Sequence, residues 1–279
     1  IKRTTQTWQW LTQNHKMKVQ LYKIKNPNNC VSEIVEIKSD SAADPLTHFV
    51  PPFVNPEIIL FIGQTHQIKN VPIPNGLIKG LYNISQKIEF APNYHFISIR
   101  LQPFGLRQLF NVDATELNNS VIDIQSHPIG EILFKYTKLS AKLDVTLSKA
   151  LVNGIEHFAV YPISEPTKQF IKLVSKTEFK TIKSLVFGSR IGIRTLQRNF
   201  KKEVGVSPKE FLRIKRLNAI EQKMSQNVNV FEIIADFNFT DQAHFIKDFK
   251  HLRNITPSEI VKRKLLLSDQ LANPKIITI

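Results

Sequence analysis

The sequence predicts an α+β N-terminal domain, with antiparallel, barrel-like strands plus helices, followed by an all-α domain in which a long helix joins two similar helical units. Two observations predict this layout. The hydrophobic periodicity changes from strand-like to helical along the chain, and one helical stretch occurs twice. At 279 residues and 42% hydrophobic composition, the chain is long enough for two domains. We place the domains at 1–160 and 167–264, with a linker at 161–166 and a tail at 265–279.

Short apolar runs broken by Pro, Gly and Asn characterise the first part of the chain. They are VPPFVNPEIILFIG (50–63), VPIPNGLIKGLYNIS (71–85) and KIEFAPNYHFISIRL (87–101). Runs of this length between turn-forming residues are typical of β-strands. The stretch at 130–151 instead spaces its apolar residues by three and four, which predicts one helical stretch ending near Asn153 and Gly154. The segment YPISEP (161–166) carries two prolines and is the predicted linker.

The charge of the chain is unevenly distributed. The formal net charge is +15, and residues from Ser164 onward hold 22 Lys and Arg against 11 Asp and Glu. A basic excess of this size favours a polyanionic partner, which leaves nucleic acid, an anionic membrane surface or a basic solvated exterior as alternatives.

The repeated stretch is RTLQRNFKKEVGVSPKEFL (194–212), which returns as AHFIKDFKHLRNITPSEIV (243–261). An offset of 49 residues sets Phe200 on Phe249 and brings apolar, basic and Pro positions into register without gaps. Each copy ends in Ser/Thr-Pro-x-Glu, which is typical of a capped helix start. A short apolar helix is predicted before each basic helix, so each copy fits a helix-turn-helix unit, whose second helix enters the major groove of DNA.

The stretches RTLQRNFKKEVGVSPKEFLRIKRLNAI and FNFTDQAHFIKDFKHLRNITPSEI resemble the C-terminal DNA-binding domain of AraC/XylS-type bacterial transcription regulators. Residues 47–125 also resemble the uncharacterised N-terminal domain found on a subset of that family. The resemblance implies a transcription regulator that is cytoplasmic, is not an enzyme and needs no cofactor. It also implies that the protein binds double-stranded DNA and works with RNA polymerase. It implies a sensing or dimerising N-terminal domain, and it leaves open a small-molecule effector, a homodimer, and activation or repression.

The second helix of each unit carries the candidate DNA contacts. With Leu196 and Phe200 in the core of the first unit, and Phe245 and Phe249 in that of the second, the remaining positions of each helix face outward. Side chains such as Arg and Gln hydrogen-bond base edges, and Lys and Arg neutralise phosphates. The predicted base-reading residues are Ile193, Arg194, Gln197, Arg198, Gln242, Ala243 and Lys247. The predicted phosphate contacts are Lys201, Lys202, Lys209, Arg213, Arg216, Lys250 and Arg253.

Six positions depart from the pattern of the family. Val186 in the first unit and Ile234 in the second stand where a small Ala is usual. Arg190 stands where a turn Gly is usual and Gly192 where a Ser cap is usual, so we expect the first turn to be reshaped. Asn238 and Asn254 replace glycines in the second unit. Because Asn tolerates the left-handed conformation best among non-glycine residues, we expect these two changes to be mild.

Other kinds of site have little support in the sequence. The single Cys30 excludes an internal disulfide, and His48, His66 and His95 lack a compact metal-ligand spacing. No apolar run is long enough to span a bilayer, so no membrane association is expected. Two alternatives to a sequence-specific regulator stay open. One is an enzymatic or ligand-modifying N-terminal domain with a DNA-targeting module, and the other is a sequence-blind architectural DNA binder.

Overall fold

The computed structural model describes residues 17–25, 30–39, 46–63, 67–68, 71–72, 74–90, 94–125, 127–139, 143–176, 181–189, 191–226, 228–262 and 275–279. An α+β region built on a β-sheet comes first, and an all-helical region follows it. The predicted fold class is therefore confirmed.

The N-terminal region is built on a seven-stranded sheet. Its strand order is β10-β7-β4-β9-β2-β1-β11, and every neighbouring pair is antiparallel except β1 and β11. In chain order these strands are β1 (Met17–Lys23), β2 (Val31–Ser39), β4 (Glu57–Phe61), β7 (Gly76–Lys79), β9 (His95–Leu101), β10 (Val121–Asp123) and β11 (Lys275–Thr278). Two separate two-stranded sheets pair β3 (Leu46–Val50) with β8 (Gln86–Phe90), and β5 (Gln67–Ile68) with β6 (Val71–Pro72).

Both faces of the sheet are covered by apolar side chains, because neighbouring strand residues such as Ile34 and Val35 are both fully buried. Three helices belong to this region: α1 (Gly105–Phe110), α2 (Pro128–Leu139) and α3 (Val145–Glu156). The core on the Ile34 side combines strand residues with Leu133 of α2 and Leu151 of α3. The α3 helix is also held to β2 through Glu156, whose carboxylate accepts hydrogen bonds from the backbone N–H groups of Cys30 and Val31.

The helical region contains seven described helices around a second core. They are α4 (Glu165–Lys176), α5 (Ile182–Val186), α6 (Ile193–Val204), α7 (Pro208–Ser225), α8 (Val230–Asp236), α9 (Gln242–Arg253) and α10 (Pro257–Lys262). Three residues of the N-terminal region, Val54, Leu81 and Phe104, belong to the same buried cluster as the cores of these helices. The two regions are therefore joined by shared apolar packing.

Several boundaries differ from those predicted. The stretch at 130–151 forms two helices rather than one, and α3 continues through Gly154 to Glu156. Glycine is favourable there because a Cβ atom would lie only 3.2 Å from Ile132 and 3.3 Å from Tyr136 of the facing helix. Helix α4 begins at Glu165, inside the predicted linker, because proline is well tolerated in the first turn of a helix.

Among the helices described, none is both long and apolar enough to cross a membrane. The described residues also contain no cluster of His, Cys, Asp or Glu able to hold a metal ion. His95 instead pairs with Glu36, with 2.9 Å between Nε2 and Oε1. His48 lies in β3, and His66 lies outside the described residues.

Candidate nucleic-acid interface

The two copies of the repeated stretch form helices with matching bounds. At the offset of 49 residues, the first residue of α6 falls on the first residue of α9, and the last falls on the last. The helices that follow them begin at Pro208 and Pro257, which are also 49 residues apart. A short helix precedes each copy: α5 lies before α6, and α8 lies before α9. The repeat therefore has one structure in both places: short helix, turn and a longer second helix.

Each second helix buries its apolar stripe in the shared core. Leu196 and Phe200 of α6 are fully buried, and so are Phe245 and Phe249 of α9. The ring of Phe200 packs edge-on against the ring of Phe211 in α7, with centroids 5.2 Å apart. Residues spaced by three and four lie on one face of a helix, so this burial turns the intervening polar residues outward.

The starts of α6 and α9 are capped differently. Asp241 accepts a hydrogen bond of 2.7 Å from the backbone N–H of His244, which is the usual side-chain cap. Gly192 takes the corresponding place before α6 and has no side chain to do this. Both helices end at a left-handed residue, Gly205 or Asn254, whose N–H bonds to the carbonyl four residues earlier.

The turns between the helices of each unit also differ. In the first unit, Gly188 adopts the left-handed conformation with φ of +74°, while Arg190 lies outside the described residues. In the second unit, Asn238 in the turn has φ of 54°, and Asn254, which follows α9, has φ of 61°. Both asparagines therefore adopt the glycine-like conformation expected of them.

The predicted base-reading residues lie on the outer sides of α6 and α9. Arg194, Gln197 and Arg198 are exposed on α6, and Gln242, Ala243 and Lys247 are exposed on α9. The remaining one, Ile193, is partly buried and packs against the core at the start of α6. The structure thus makes six of these seven side chains accessible, and it places them on the second helix of each unit.

The exposed surface of α6 carries positive charge without an exposed carboxylate. Its acidic residue, Glu203, is buried and accepts hydrogen bonds from the N–H and the hydroxyl of Ser164. Lys201 and Lys202 remain exposed in the last turn. Because no carboxylate on this helix faces solvent, its field attracts an anionic ligand such as the DNA backbone.

The predicted phosphate contacts fall into three groups. Lys201, Lys202, Lys209 and Lys250 are exposed. Arg213 and Arg216 of α7 are partly buried and share Asp248 of α9, at 2.6 and 3.1 Å. Arg253 differs most from the expected surface position, since only 1% of it is exposed.

Arg253 lies in the interior because it pairs with a buried carboxylate. Its Nε is 2.7 Å from Glu221 Oε1, and both side chains are fully buried. Burial raises the pKa of Glu221 to about 7, against the opposing effect of the Arg253 guanidinium. At the offset of 49 residues Arg253 falls on Val204, which is also buried, so the repeat itself held a signal for this interior position.

A group of N-terminal polar residues contacts the helical units, and no sequence motif marks it. Asn118 donates a hydrogen bond of 2.6 Å to the carbonyl of Gly205. Ser85 contacts the end of α9, and Asn83 donates to Glu210 at the start of α7. These residues stand in loops with ordinary turn composition, so nothing in the sequence distinguishes them from other loop residues.

A family model described as "Helix-turn-helix domain" matches residues 189–263. This range begins in the turn before α6 and ends just after α10, so it includes both α6 and α9. These residues form a helix-turn-helix DNA-binding domain of AraC type, which confirms the resemblance of the repeat over this part of the chain. A search of curated proteins finds no match.

Among solved structures, the chain is similar to ToxT from Vibrio cholerae O395, at 12% identity and a TM-score of 0.43, over 90% of this chain and 98% of that one. A fatty-acid-bound ToxT of strain SCE256 gives 13% identity, a TM-score of 0.40 and coverage of 90% and 96%. The AraC-like transcriptional activator CuxR gives 13% identity, a TM-score of 0.30 and coverage of 71% and 77%. At these TM-scores the likeness carries no inference about this chain.

Proposed function

We propose that this protein is a transcription regulator that binds duplex DNA sequence-specifically, with α6 and α9 in successive major grooves. The observation that carries the proposal is the repetition of one helix-turn-helix unit with matching helix bounds, each with an exposed polar face on its second helix. One such helix reads only a few base pairs, so a second copy on the same chain multiplies the specificity.

The helix that connects the units supports reading of adjacent grooves. Helix α7 has 18 residues, which at 1.5 Å per residue gives a length of about 27 Å. Successive major grooves on one face of DNA are about 34 Å apart. A connector of this length suits two recognition helices one helical turn apart, so a single chain holds both parts of a bipartite reader.

Selection of bound fragments from genomic DNA tests this function. The purified full-length protein should enrich a bipartite site whose half-sites are separated by about one helical turn. Enrichment of no motif, with random and genomic duplexes competing equally at a fixed salt concentration, would instead indicate the sequence-blind architectural binder.

Substitution of Arg198 tests the reading role of α6. The Arg198→Ala variant should bind the selected site about 1–3 kcal/mol more weakly and nonspecific DNA almost unchanged. As a matched control on the same helix, Lys201→Ala should weaken binding to both DNAs equally and lower the salt dependence. Mobility-shift titrations at several salt concentrations measure both effects. Equal losses on the two DNAs for Arg198→Ala would contradict base reading by this residue.

The N-terminal region is proposed to sense a signal rather than to catalyse a reaction. Support comes from four buried charged residues at the face of the sheet, Glu33, Glu57, Lys79 and Arg100. Arg100 contacts Glu33 and lies 3.7 Å from Glu57, while burial lowers the pKa of nearby Lys215 in α7. The charges of Arg100 and Glu33 act on Lys215, so a ligand that altered this charged group would affect a residue of α7.

A thermal-shift screen of metabolites tests the sensing role. An effector that binds only the folded protein stabilises it by mass action and so raises its Tm. At a concentration about one hundred times its Kd, the free energy of unfolding rises by about 2.7 kcal/mol. The effector should also change affinity for the selected DNA. Turnover of a candidate ligand, or a metal that copurifies, would favour the enzymatic alternative. Light scattering with and without DNA tests the homodimer, and copurification tests RNA polymerase as a partner.

A further inference from the structure

The N-terminal region contacts the same end of both recognition helices. At the end of α6, Asn118 Nδ2 lies 2.6 Å from the carbonyl oxygen of Gly205. At the end of α9, the backbone N–H of Ser85 donates to the carbonyl of Leu252 at 3.0 Å, and Arg253 donates to the Ser85 hydroxyl at 2.9 Å. Because Gly205 corresponds to Asn254 in the repeat, the two contacts hold nearly equivalent positions of the two units.

The contact at Gly205 is close enough to restrict movement. A Cβ atom at Gly205 would collide with Asn118 Oδ1 and would lie 3.0 Å from the carbonyl oxygen of Ala114. The 3₁₀ turn Ala114–Leu117 therefore lies directly against the end of α6. Backbone packed this closely leaves little room for α6 to shift relative to the N-terminal region.

The two contact points are also bonded to each other. Asn119 Nδ2 donates to Asn83 Oδ1 at 2.8 Å, and the backbone N–H of Asn83 donates to Asn119 Oδ1 at 3.2 Å. Asn83 adds a third attachment through a bond of 3.0 Å to Glu210 at the start of α7. We name Asn83, Ser85, Asn118 and Asn119 the polar bracket. Their hydrogen bonds, together with the short stretches of chain that join Asn118 to Asn119 and Asn83 to Ser85, link the ends of α6 and α9.

The capping of α7 and α10 shows that one of these bonds replaces an internal one. In the second unit, Glu259 and Thr256 cap α10 reciprocally, with the Thr256 N–H donating to the Glu259 carboxylate at 2.8 Å. In the first unit, Ser207 caps the N–H of Glu210, but the Glu210 carboxylate accepts from Asn83. The first unit has thus turned a capping side chain toward the N-terminal region.

We propose that the polar bracket fixes the placement of α6 relative to α9, and so sets the half-site spacing that the protein accepts. This inference rests on the proposed function. The two units already share a core and the helix α7, and Asp248 of α9 pairs with Arg213 and Arg216 of α7. These contacts lie toward the middle of the helical region, so small shifts of the helix ends would still let the units accept a range of spacings. A rigid third body that contacts both removes that range, so the second unit binds with a high effective concentration at one spacing and a low one at others.

DNA geometry makes this restriction measurable. One base pair inserted between the half-sites increases their separation by about 3.4 Å. It also rotates one half-site relative to the other by about 35°, since one turn holds 10–10.5 base pairs. A bracketed pair of helices cannot follow such a rotation without breaking contacts. The wild-type protein should therefore lose about tenfold or more in affinity when the selected site is lengthened or shortened by one base pair, equivalent to about 1.4 kcal/mol.

The test compares spacing profiles of the full-length protein and a bracket variant on duplexes with spacers one and two base pairs shorter or longer. Ser85→Ala with Asn118→Ala removes the side-chain contacts to α9 and α6. Its penalty per base pair should fall to about threefold or less, while affinity for an isolated half-site stays at the wild-type value. The matched control, Gln169→Ala with Ser175→Ala, removes two polar side chains from exposed positions of α4 and should keep the wild-type profile.

A second variant covers the case in which the first fails to fold. Asn119→Gly cuts the link between the two contact points but leaves both contacts in place, and glycine suits the φ of 54° at this position. It should flatten the profile partly. A wild-type profile in both folded variants would overturn the inference alone. Loss of all sequence preference in the wild-type protein would refute the proposed function, and the inference with it.

Discussion

At the scale of single residues, Glu221 and Arg253 form the most deeply buried ion pair described. Both side chains are fully buried, so neither charge is stabilised by hydration. A buried pair of this kind contributes little net stability, although removal of one partner leaves an uncompensated charge. Its position at the end of α9, where Arg253 also bonds to Ser85, suits orientation of that helix better than stabilisation of the fold.

The pair makes stability depend on pH in a defined direction. Burial raises the pKa of Glu221 from 4.5 to about 7, so its stabilising contribution is present below about pH 4.5 and is lost as the pH rises through about 7. Over this window the free energy of unfolding should fall less steeply in Glu221→Gln than in the wild-type protein. The two slopes should differ by up to about 1.4 kcal/mol per pH unit. Urea unfolding of both proteins at a series of pH values measures the difference, and parallel profiles would contradict it.

At the scale of elements, the two units use the same helix bounds with different caps. The sequence predicted the repeat and the helix starts at Pro208 and Pro257, because the motif Ser/Thr-Pro-x-Glu encodes them locally. It also predicted left-handed Asn238 and Asn254. The break within 130–151 was missed, because helical periodicity continues across it.

The caps of α6 and α9 give a paired prediction. Asp241→Ala removes the bond to the His244 N–H and should lower the free energy of unfolding by about 1 kcal/mol. Gly192→Ser at the equivalent position should raise the free energy of unfolding by a few tenths of a kcal/mol. The new side chain has room, because a Cβ atom there meets only Thr195 Oγ1, at 3.8 Å. Chemical denaturation of both variants measures the effects. A destabilised Gly192→Ser would show that this start requires glycine for another reason.

At the scale of the whole molecule, one core spans both regions. Val54, Leu81 and Phe104 of the N-terminal region belong to the cluster that contains Leu196, Phe245 and the apolar side of α7. In addition, β11 pairs in parallel with β1, so the chain returns to the N-terminal sheet after the last helix of the second unit. The DNA-binding region is therefore attached to the sheet through side-chain packing and through the chain itself.

Shared packing predicts that the two regions unfold together. Wild-type protein should show one calorimetric transition. Leu81→Ala should cost about 2–5 kcal/mol and separate the transition into two, because it empties a contact between the regions. Leu133→Ala, equally buried but inside the N-terminal core, should lower a transition that stays single. Two transitions in the wild-type protein, or a single one in Leu81→Ala, would contradict the coupling.

The sequence by itself determined the features that are encoded locally. These are the change from strand to helix, the repeated unit, its caps and turns, and the exposed positions of α6 and α9, since each depends on residues a few positions apart. Only the tertiary structure decided which basic residues are accessible. Arg253 resembles its exposed neighbour Lys250 in sequence, yet Glu221 of another helix draws it into the core.

Tertiary structure alone also decided how the two regions meet. Asn83, Ser85 and Asn118 have the composition of ordinary loop residues, and they acquire partners only because the fold brings them against Glu210, Leu252 and Gly205. These pairs are separated by more than 80 residues in sequence, so neither periodicity nor a local motif encodes them. Contacts over such separations depend on the packing of the entire chain.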